Sequence, residues 1–433
     1  MSGDIGTSDI SFSNIVTAYN NVYTPPLSTT NISSSIFRGK TFSDDSSVPS
    51  TGAISIGVNF KGKTWGSSII SSWTLKDTIS DPYGLDAGFA YDNASISGDG
   101  AWISIGSRDI DFNANSLGNG NVFMYSKNTD ITYSKTQDIA AASGEDAFGS
   151  RTKLSRDGNY LCGIYGVGGA SAGFQMFKRT NNTWNSITNV INFGYIPRDV
   201  ALSEDGTYIV ISNNHNVDEV KVYIKSADDT SVTLMTNINP PEDSLYGVQS
   251  VSISDNGELL CFGTPYVQSN TGNVYVYTRT TSSWSTNPTA VIEAPELGGY
   301  FGYDVSMSGD GNFIATSALL YDEVYIYKRS GSSWSLSSTI NGPSGYAYGI
   351  SVALSQYSDY LAVGSYYVSE IFTGDHVYAY SKDSNDAWTL KQTIAGDTGS
   401  GFGFNVDISS AGNYILVTAG EFATANAYVY YGT

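Results

Sequence analysis

One arrangement of apolar and polar positions recurs along the chain. A short alternating stretch ends in a serine, a tight turn follows, and then comes a run of apolar residues. The seven copies read NASISGDGAWISIGS, RTKLSRDGNYLCGIYG, DVALSEDGTYIVISN, SVSISDNGELLCFGT, DVSMSGDGNFIATSA, SVALSQYSDYLAVGS and NVDISSAGNYILVTA. Alternation with period two predicts a half-buried strand, and the apolar run predicts a strand buried on both faces. The serines are Ser97, Ser155, Ser203, Ser254, Ser308, Ser355 and Ser409, spaced 47 to 58 residues apart. Five of the turns carry Asp-Gly or Asn-Gly, dipeptides that tolerate the positive φ of a two-residue hairpin. After a variable loop a third strand follows in each copy, for example NVYVYTR, EVYIYKR and HVYAYSK. A fourth opens at Tyr133, Trp184, Val232, Trp284, Trp334 and Trp388 in the first six copies.

Four strands in a repeat of this length are the signature of a propeller blade. The seventh copy stops at Thr433 without a fourth strand, while SSWTLKDTI, containing Trp73, stands alone before the first copy and matches DAWTLKQTI. Residues 73–79 are therefore expected to complete the last blade, closing the ring and removing a free sheet edge. The predicted fold is all-β: a seven-bladed β-propeller of four-stranded antiparallel blades with N-/C-terminal strand closure, residues 67–433, preceded by a small β-rich docking or anchor module, residues 1–66.

Charge narrows the partners. Forty-one acidic residues face 21 basic ones in 433, a formal net charge of −20. With no basic stripe, a nucleic-acid partner is not expected; an acidic surface suits solubility, divalent cations or cationic partners. No apolar stretch approaches the length of a membrane span. The start MSGDIGTSDISFSN lacks the basic and apolar regions of a secretory signal, so a surface role is expected to come through assembly into a particle. Cys162 and Cys261 occupy equivalent places in non-adjacent repeats and are expected to be small buried hydrophobes rather than a disulfide.

Segments such as YFGYDVSMSGDGNFIATSA followed by EVYIYKRSGSSWSLSSTI resemble FG-GAP repeats, the blades of integrin-α-like propellers. The Phe-Gly element stands as Phe148-Gly149, Phe301-Gly302 and Phe402-Gly403, with Tyr246-Gly247 and Tyr348-Gly349 as variants. The resemblance covers about residues 73–433 and implies seven blades. Calcium-binding members carry a DxDxDG loop before the second strand; here that place holds only an SGDGN-like turn, too poor in carboxylates to cage a hard cation. In the N-terminal segment, Phe37-Arg38-Gly39-Lys40 and Phe60-Lys61-Gly62-Lys63 are similar to short elements that open structural proteins of marine phages and large algal viruses. That likeness implies a virion component, docked to other virion or surface proteins through Phe37, Arg38, Phe60 and Lys61.

Candidate chemistry lies on the side bearing the second–third loops and the blade-to-blade connections, which are long and irregular. Loops on a rigid scaffold are the usual place for recognition. Tyr165, Tyr266, Tyr321, Tyr366, Tyr367, Asp218, Asp322, Glu370 and Asp375 are the candidate binding residues there, since tyrosine offers a stiff apolar plate with one polar tip, suited to glycan or protein. Asp109, Asp111, Asn113 and Asn115 have a D-x-D-x-N-x-N spacing that could present oxygens to Ca²⁺, but without the glycine and glutamate of an EF-hand. No other cofactor is expected. Two histidines make a multi-histidine zinc site untenable, and no nucleophile elbow, P-loop or dinucleotide fingerprint occurs. No catalytic residue is assigned. The expectation is a non-enzymatic virion-surface protein whose propeller displays a face for host glycan or protein. The alternatives are a carbohydrate-active propeller enzyme with paired carboxylates, and a pure scaffold.

Overall fold

A computed structural model of the chain describes residues 69–83, 88–107, 120–140, 147–166, 172–188, 191–193, 197–213, 219–242, 247–280, 283–345, 347–366, 375–397, 400–420 and 425–433. The chain divides between Ile70 and Ser71, and Ser71–Thr433 is the propeller. The N-terminal module lies outside the described residues.

Seven antiparallel sheets follow one another in sequence order. The first blade is β2 (Phe89–Ile96), β3 (Trp102–Ser107), β4 (Asn121–Lys127) and β5 (Tyr133–Ala140). The second is β6 (Arg151–Leu154), β7 (Tyr160–Tyr165) and β8 (Gly173–Thr180), with an outer edge split into β9 (Thr183–Ser186) and β10 (Ile191–Asn192). The third is β11 (Pro197–Leu202), β12 (Tyr208–Asn213), β13 (Val220–Lys225) and β14 (Val232–Ile238); the fourth is β15 (Ser250–Ile253), β16 (Leu259–Thr264), β17 (Asn273–Thr278) and β18 (Ala290–Glu293). The fifth is β19 (Phe301–Met307), β20 (Phe313–Ala318), β21 (Glu323–Ser330) and β22 (Ser333–Asn341); the sixth is β23 (Tyr348–Leu354), β24 (Tyr360–Ser365), β25 (His376–Lys382) and β26 (Trp388–Ala395). The last comprises β27 (Phe402–Ile408), β28 (Tyr414–Ala419), β29 (Asn426–Gly432) and, as its outer strand, β1 (Trp73–Ser80).

The closure read from Trp73 is thus present. β1 runs antiparallel to β29, with Trp73 opposite Gly432 and Thr78 opposite Tyr428. Trp73 is buried, donates its indole N–H to the Gly412 carbonyl at 3.0 Å and meets the Tyr360 ring edge-on at 5.8 Å. Its backbone is held from the neighbouring blade as well: the Gln392 side chain accepts from Trp73 N–H at 2.5 Å and donates to Trp73 C=O at 3.0 Å. Gln137 makes the same two-way clamp on Trp184.

The outer strand departs from the sequence reading in two blades. In the fourth, Trp284 makes only an isolated bridge to Arg279, and β18 starts at Ala290. Pro288 lies between them; it has no N–H to give the ladder, so the edge strand breaks there. In the second the edge is likewise divided, with β9 and β10 both on β8.

The anchor serine explains the repeat. All seven are buried, and each hydroxyl accepts from the backbone N–H five residues on, at 2.9 to 3.0 Å. Five of them donate to the Asp or Asn two residues on (Asp99, Asp157, Asp205, Asn256, Asp310), whose side-chain oxygen in turn accepts from the N–H two residues further. The turn is built from its own side chains. Its third residue after the serine has positive φ in every copy; it is glycine in six, but in the sixth blade it is buried Ser358 at φ 53°. Ser358→Gly is expected to raise stability by about 0.5–1 kcal/mol by relieving this left-handed residue; urea unfolding with an unchanged slope checks it.

Cys162 and Cys261 are free and fully buried, and burial pushes both thiols up. They pack as small hydrophobes, as expected.

Candidate recognition face

The two ends of the ring differ in kind. At the end formed by the first–second turns, a backbone hydrogen bond crosses each blade junction in succession: Gly98 N–H to Arg156 C=O, Asp157 to Glu204, Glu204 to Asp255, Asp255 to Gly309, Asp310 to Gln356, Gln356 to Ser410, and Ser410 back to Gly98. These seven bonds, 2.8 to 3.2 Å long, form a closed hoop. Inside it, Arg156 Nε donates to Asp255 Oδ1 and Gln356 Nε2 to Asp255 Oδ2, both at 2.7 Å. Side chains from the second, fourth and sixth blades therefore meet at this end of the central channel.

The same end carries a belt of cations, each lying on an aromatic ring of the preceding blade. Lys127 lies over Tyr414 (4.7 Å), Arg179 over Trp102 (4.9 Å), Lys225 over Tyr160 (4.4 Å), Arg279 over Tyr208 (4.5 Å) and Lys382 over Phe313 (4.4 Å). Lys225 also pairs with Asp229, which Lys178 shares, and this holds the Asp229 carboxyl low, near 2, despite partial burial. Basic side chains at this end are thus engaged in joining blades.

The channel wall is polar and also spent on junctions. Asp199 accepts from Val251 N–H of the next blade (2.9 Å), Asp304 from Val352 N–H (2.7 Å) and Asp407 from Ile96 N–H (3.0 Å). Lys153 reaches Asp407 at 3.1 Å. Ser95, Ser252 and Ser351 accept backbone N–H groups at other junctions, and Ser306 accepts a second one, from Leu354, at the Asp304 junction. Burial pushes the Asp304 carboxyl up to about 7, and the neighbouring Asp199 adds to the shift; the hydroxyl of Ser250 and the N–H groups of Val352 and Val305 oppose it by donating to the ionised form.

The loop end is where the sequence places recognition, and three of its candidates have other duties. Tyr165 is 1% exposed and sits in the core between the first and second blades, with its hydroxyl toward Ile191 C=O. It ends an apolar strand, so its ring turns inward rather than onto the face. Asp322 and Asp375 each precede a third strand and are 8% and 1% exposed. Asp322 accepts from Gly345 and Tyr348 N–H (2.5 and 3.0 Å), and Asp375 from Gly401 N–H (2.9 Å). Both fasten the following blade-to-blade connection.

Tyr266 and Tyr321 each reach the 297–300 connection, which with the 319–322 turn carries two residues that tyrosine-and-carboxylate reasoning passes over. Leu297 and Leu320 are 81% and 60% exposed, and Tyr321 is 38% exposed. The Tyr321 hydroxyl donates to Leu297 C=O, and the Leu320 N–H to Gly299 C=O at 3.2 Å. Tyr266 meets Tyr300 edge-on at 5.4 Å, and Tyr300 N–H donates to Asn270 C=O at 2.9 Å. The signal was in LYDE and PELGG: large apolar residues beside turn residues, with no strand to bury them. Tyr366 stands elsewhere on this end, edge-on to Phe404 at 5.8 Å. Tyr367, Asp218, Glu370, the Asp109–Asn115 loop and the docking residues Phe37, Arg38, Phe60 and Lys61 lie outside the described residues. Among the described residues no group of three or more His, Cys, Asp or Glu side chains is arranged to hold a metal, and no helix is long and apolar enough to cross a membrane.

No known protein family and no curated protein matches the chain. Solved structures do. A chain of a mitotic checkpoint complex superposes with a TM-score of 0.55 at 11% identity, covering 83% of this chain and 96% of that one. The β-propeller domain of Cps50 (Swd1) from Myceliophteria thermophila superposes with a TM-score of 0.57 at 10% identity, covering 82% and 99%. The likeness is one of fold. The protein is a seven-bladed β-propeller.

Proposed function

We propose that this propeller is a non-enzymatic binding protein that holds a macromolecular partner on its loop face. The observation that carries this reading is the contrast between the two ends. At the turn end the side chains and backbone are committed to the hoop, the belt and the Arg156–Asp255–Gln356 cluster. The loop end presents irregular segments with exposed apolar side chains, on a scaffold whose junctions are fastened from below. A fixed scaffold with variable loops is suited to binding. The two solved propellers are similar in fold, and one of them comes from a multiprotein complex.

The setting we propose is a virion surface, with residues 1–66 as the docking module and the propeller displayed toward a host glycan or protein. The Phe-Arg-Gly-Lys and Phe-Lys-Gly-Lys elements support it through their resemblance to phage and algal-virus structural proteins. The test is to assay the full chain against a glycan array and a panel of glycosides while probing purified particles for it. Binding without turnover, and a particle-associated chain with its propeller open to protease, are the expected results. Hydrolysis abolished by changing two loop-face carboxylates would overturn the non-enzymatic reading, and a chain found only free in cell extract would overturn the virion setting.

A further inference from the structure

The patch formed by Leu297, Leu320 and Tyr321 narrows the partner's chemistry; this inference rests on the loop-face reading. Two leucines at 81% and 60% exposure, on segments joined by the Leu320 N–H to Gly299 C=O bond, are an apolar area that water solvates at a cost. The patch is preformed. Three chain segments, 266–272, 297–300 and 319–322, are tied together by Tyr321 to Leu297 C=O, Leu320 to Gly299 and Tyr300 to Asn270. A Cβ at Gly299 would stand 2.5 Å from the Tyr321 ring, so glycine permits that ring to lie flat on the connection. Little ordering remains to be done on binding.

The surroundings set the charge. The described segments that form and flank the patch, 239–242, 247–249, 264–273, 293–300, 318–323, 341–345 and 347–349, contain Glu242, Glu293, Glu296 and Glu323, besides the buried Asp322, and no lysine or arginine. Glu296 directly precedes Leu297 and Glu323 follows Tyr321 by two residues, so two carboxylates adjoin the patch along the chain. An apolar centre inside an acidic rim complements a segment with leucine-like side chains on one side and lysine or arginine around them.

We infer that the loop face of the fourth and fifth blades docks a basic amphipathic peptide segment of a partner protein, with its apolar side chains on Leu297, Leu320 and Tyr321. The test uses the full chain and a synthetic Leu/Lys amphipathic peptide of about 18 residues, with a Leu/Glu twin as control. Fluorescence anisotropy is expected to show binding of the Leu/Lys peptide only. Affinity should weaken about tenfold or more in Leu297→Ser/Leu320→Ser. It should also weaken severalfold between about 50 and 300 mM salt. Leu297→Ser alone, at the more exposed position, covers the case in which the double variant misfolds, and Leu336→Ser on the outer rim should change nothing. Equal binding of the Leu/Glu twin, or indifference to Leu297→Ser, would overturn the proposal. Concentration-dependent self-association lost in the variant would overturn it in favour of a second copy. Cross-links from the bound peptide separate the two readings: attachment elsewhere on the loop face removes this patch and leaves the recognition face, while attachment at Lys328 on the turn end removes both.

Discussion

A chain shortened to begin at Asp81 is expected to lose its cooperative fold, whereas one that begins at Ile69 keeps it. The shorter chain lacks β1, so β29 becomes a bare edge and the core positions of Trp73 and Ile79 are left empty. The loss spreads beyond one blade, because the Gln392 amide loses both partners on Trp73 and Tyr133 N–H loses the Asp77 carboxylate that accepts it at 2.6 Å. The first, sixth and seventh blades are all touched. Trp73→Ala isolates the largest part of this effect. It removes a buried indole, its hydrogen bond to Gly412 and its contact with Tyr360, and should cost about 3–5 kcal/mol. Thermal unfolding followed by circular dichroism reads both; an Asp81 start that melts like the Ile69 start would mean that the last blade does not need its fourth strand.

The second large effect is expected at Gly263. A Cβ there would lie 1.9 Å from the Gly302 carbonyl oxygen of the next blade, a backbone atom that cannot step aside. Gly302 itself has φ 84°, and its Phe301 partner is fully buried. The Phe-Gly element is therefore a place where two blades touch backbone to backbone while an aromatic ring fills the space beside them. Gly106 with Gly149 (2.0 Å) and Gly364 with Gly403 (1.9 Å) repeat the arrangement. Gly263→Ala should cost at least about 3 kcal/mol, although alanine is ordinarily favoured over glycine within a strand, because the fourth and fifth blades must move apart. Chemical denaturation measures it, and a loss below about 1 kcal/mol would show that the junction is not as close as described.

That pairing was present in the sequence and unread. The position nine residues after the anchor serine is glycine in the first, fourth and sixth repeats, and these are the repeats followed by Phe148-Gly149, Phe301-Gly302 and Phe402-Gly403. Where it is serine, at Ser212 and Ser317, Tyr246-Gly247 and Tyr348-Gly349 follow. In the first blade the element is Phe89-Ala90, with Ala90 at φ 53°, and a search for glycine cannot find it.

The fold was legible because strands, turns and closure depend on local periodicity, and Trp73 carried a copy of the Trp388 environment to the far end of the chain. The face was less so. Sequence indicates which loops share an end of the ring but not which way a side chain turns once it leaves the sheet. Tyr165 turns into the core, and Asp322 and Asp375 are taken by backbone N–H groups of the next connection. The cation belt was hidden for a related reason: Arg179 and Trp102 lie in different repeats, and only the ring brings them to 4.9 Å.

The closed ring depends on β1 belonging to the last sheet, and native-state hydrogen exchange of residues 74–79 examines that pairing directly. Amides of β1 that face β29 should exchange as slowly as those of β28, through global unfolding alone. Exchange of the whole segment at the rate of a frayed end, while β28 stays protected, would contradict the closed ring.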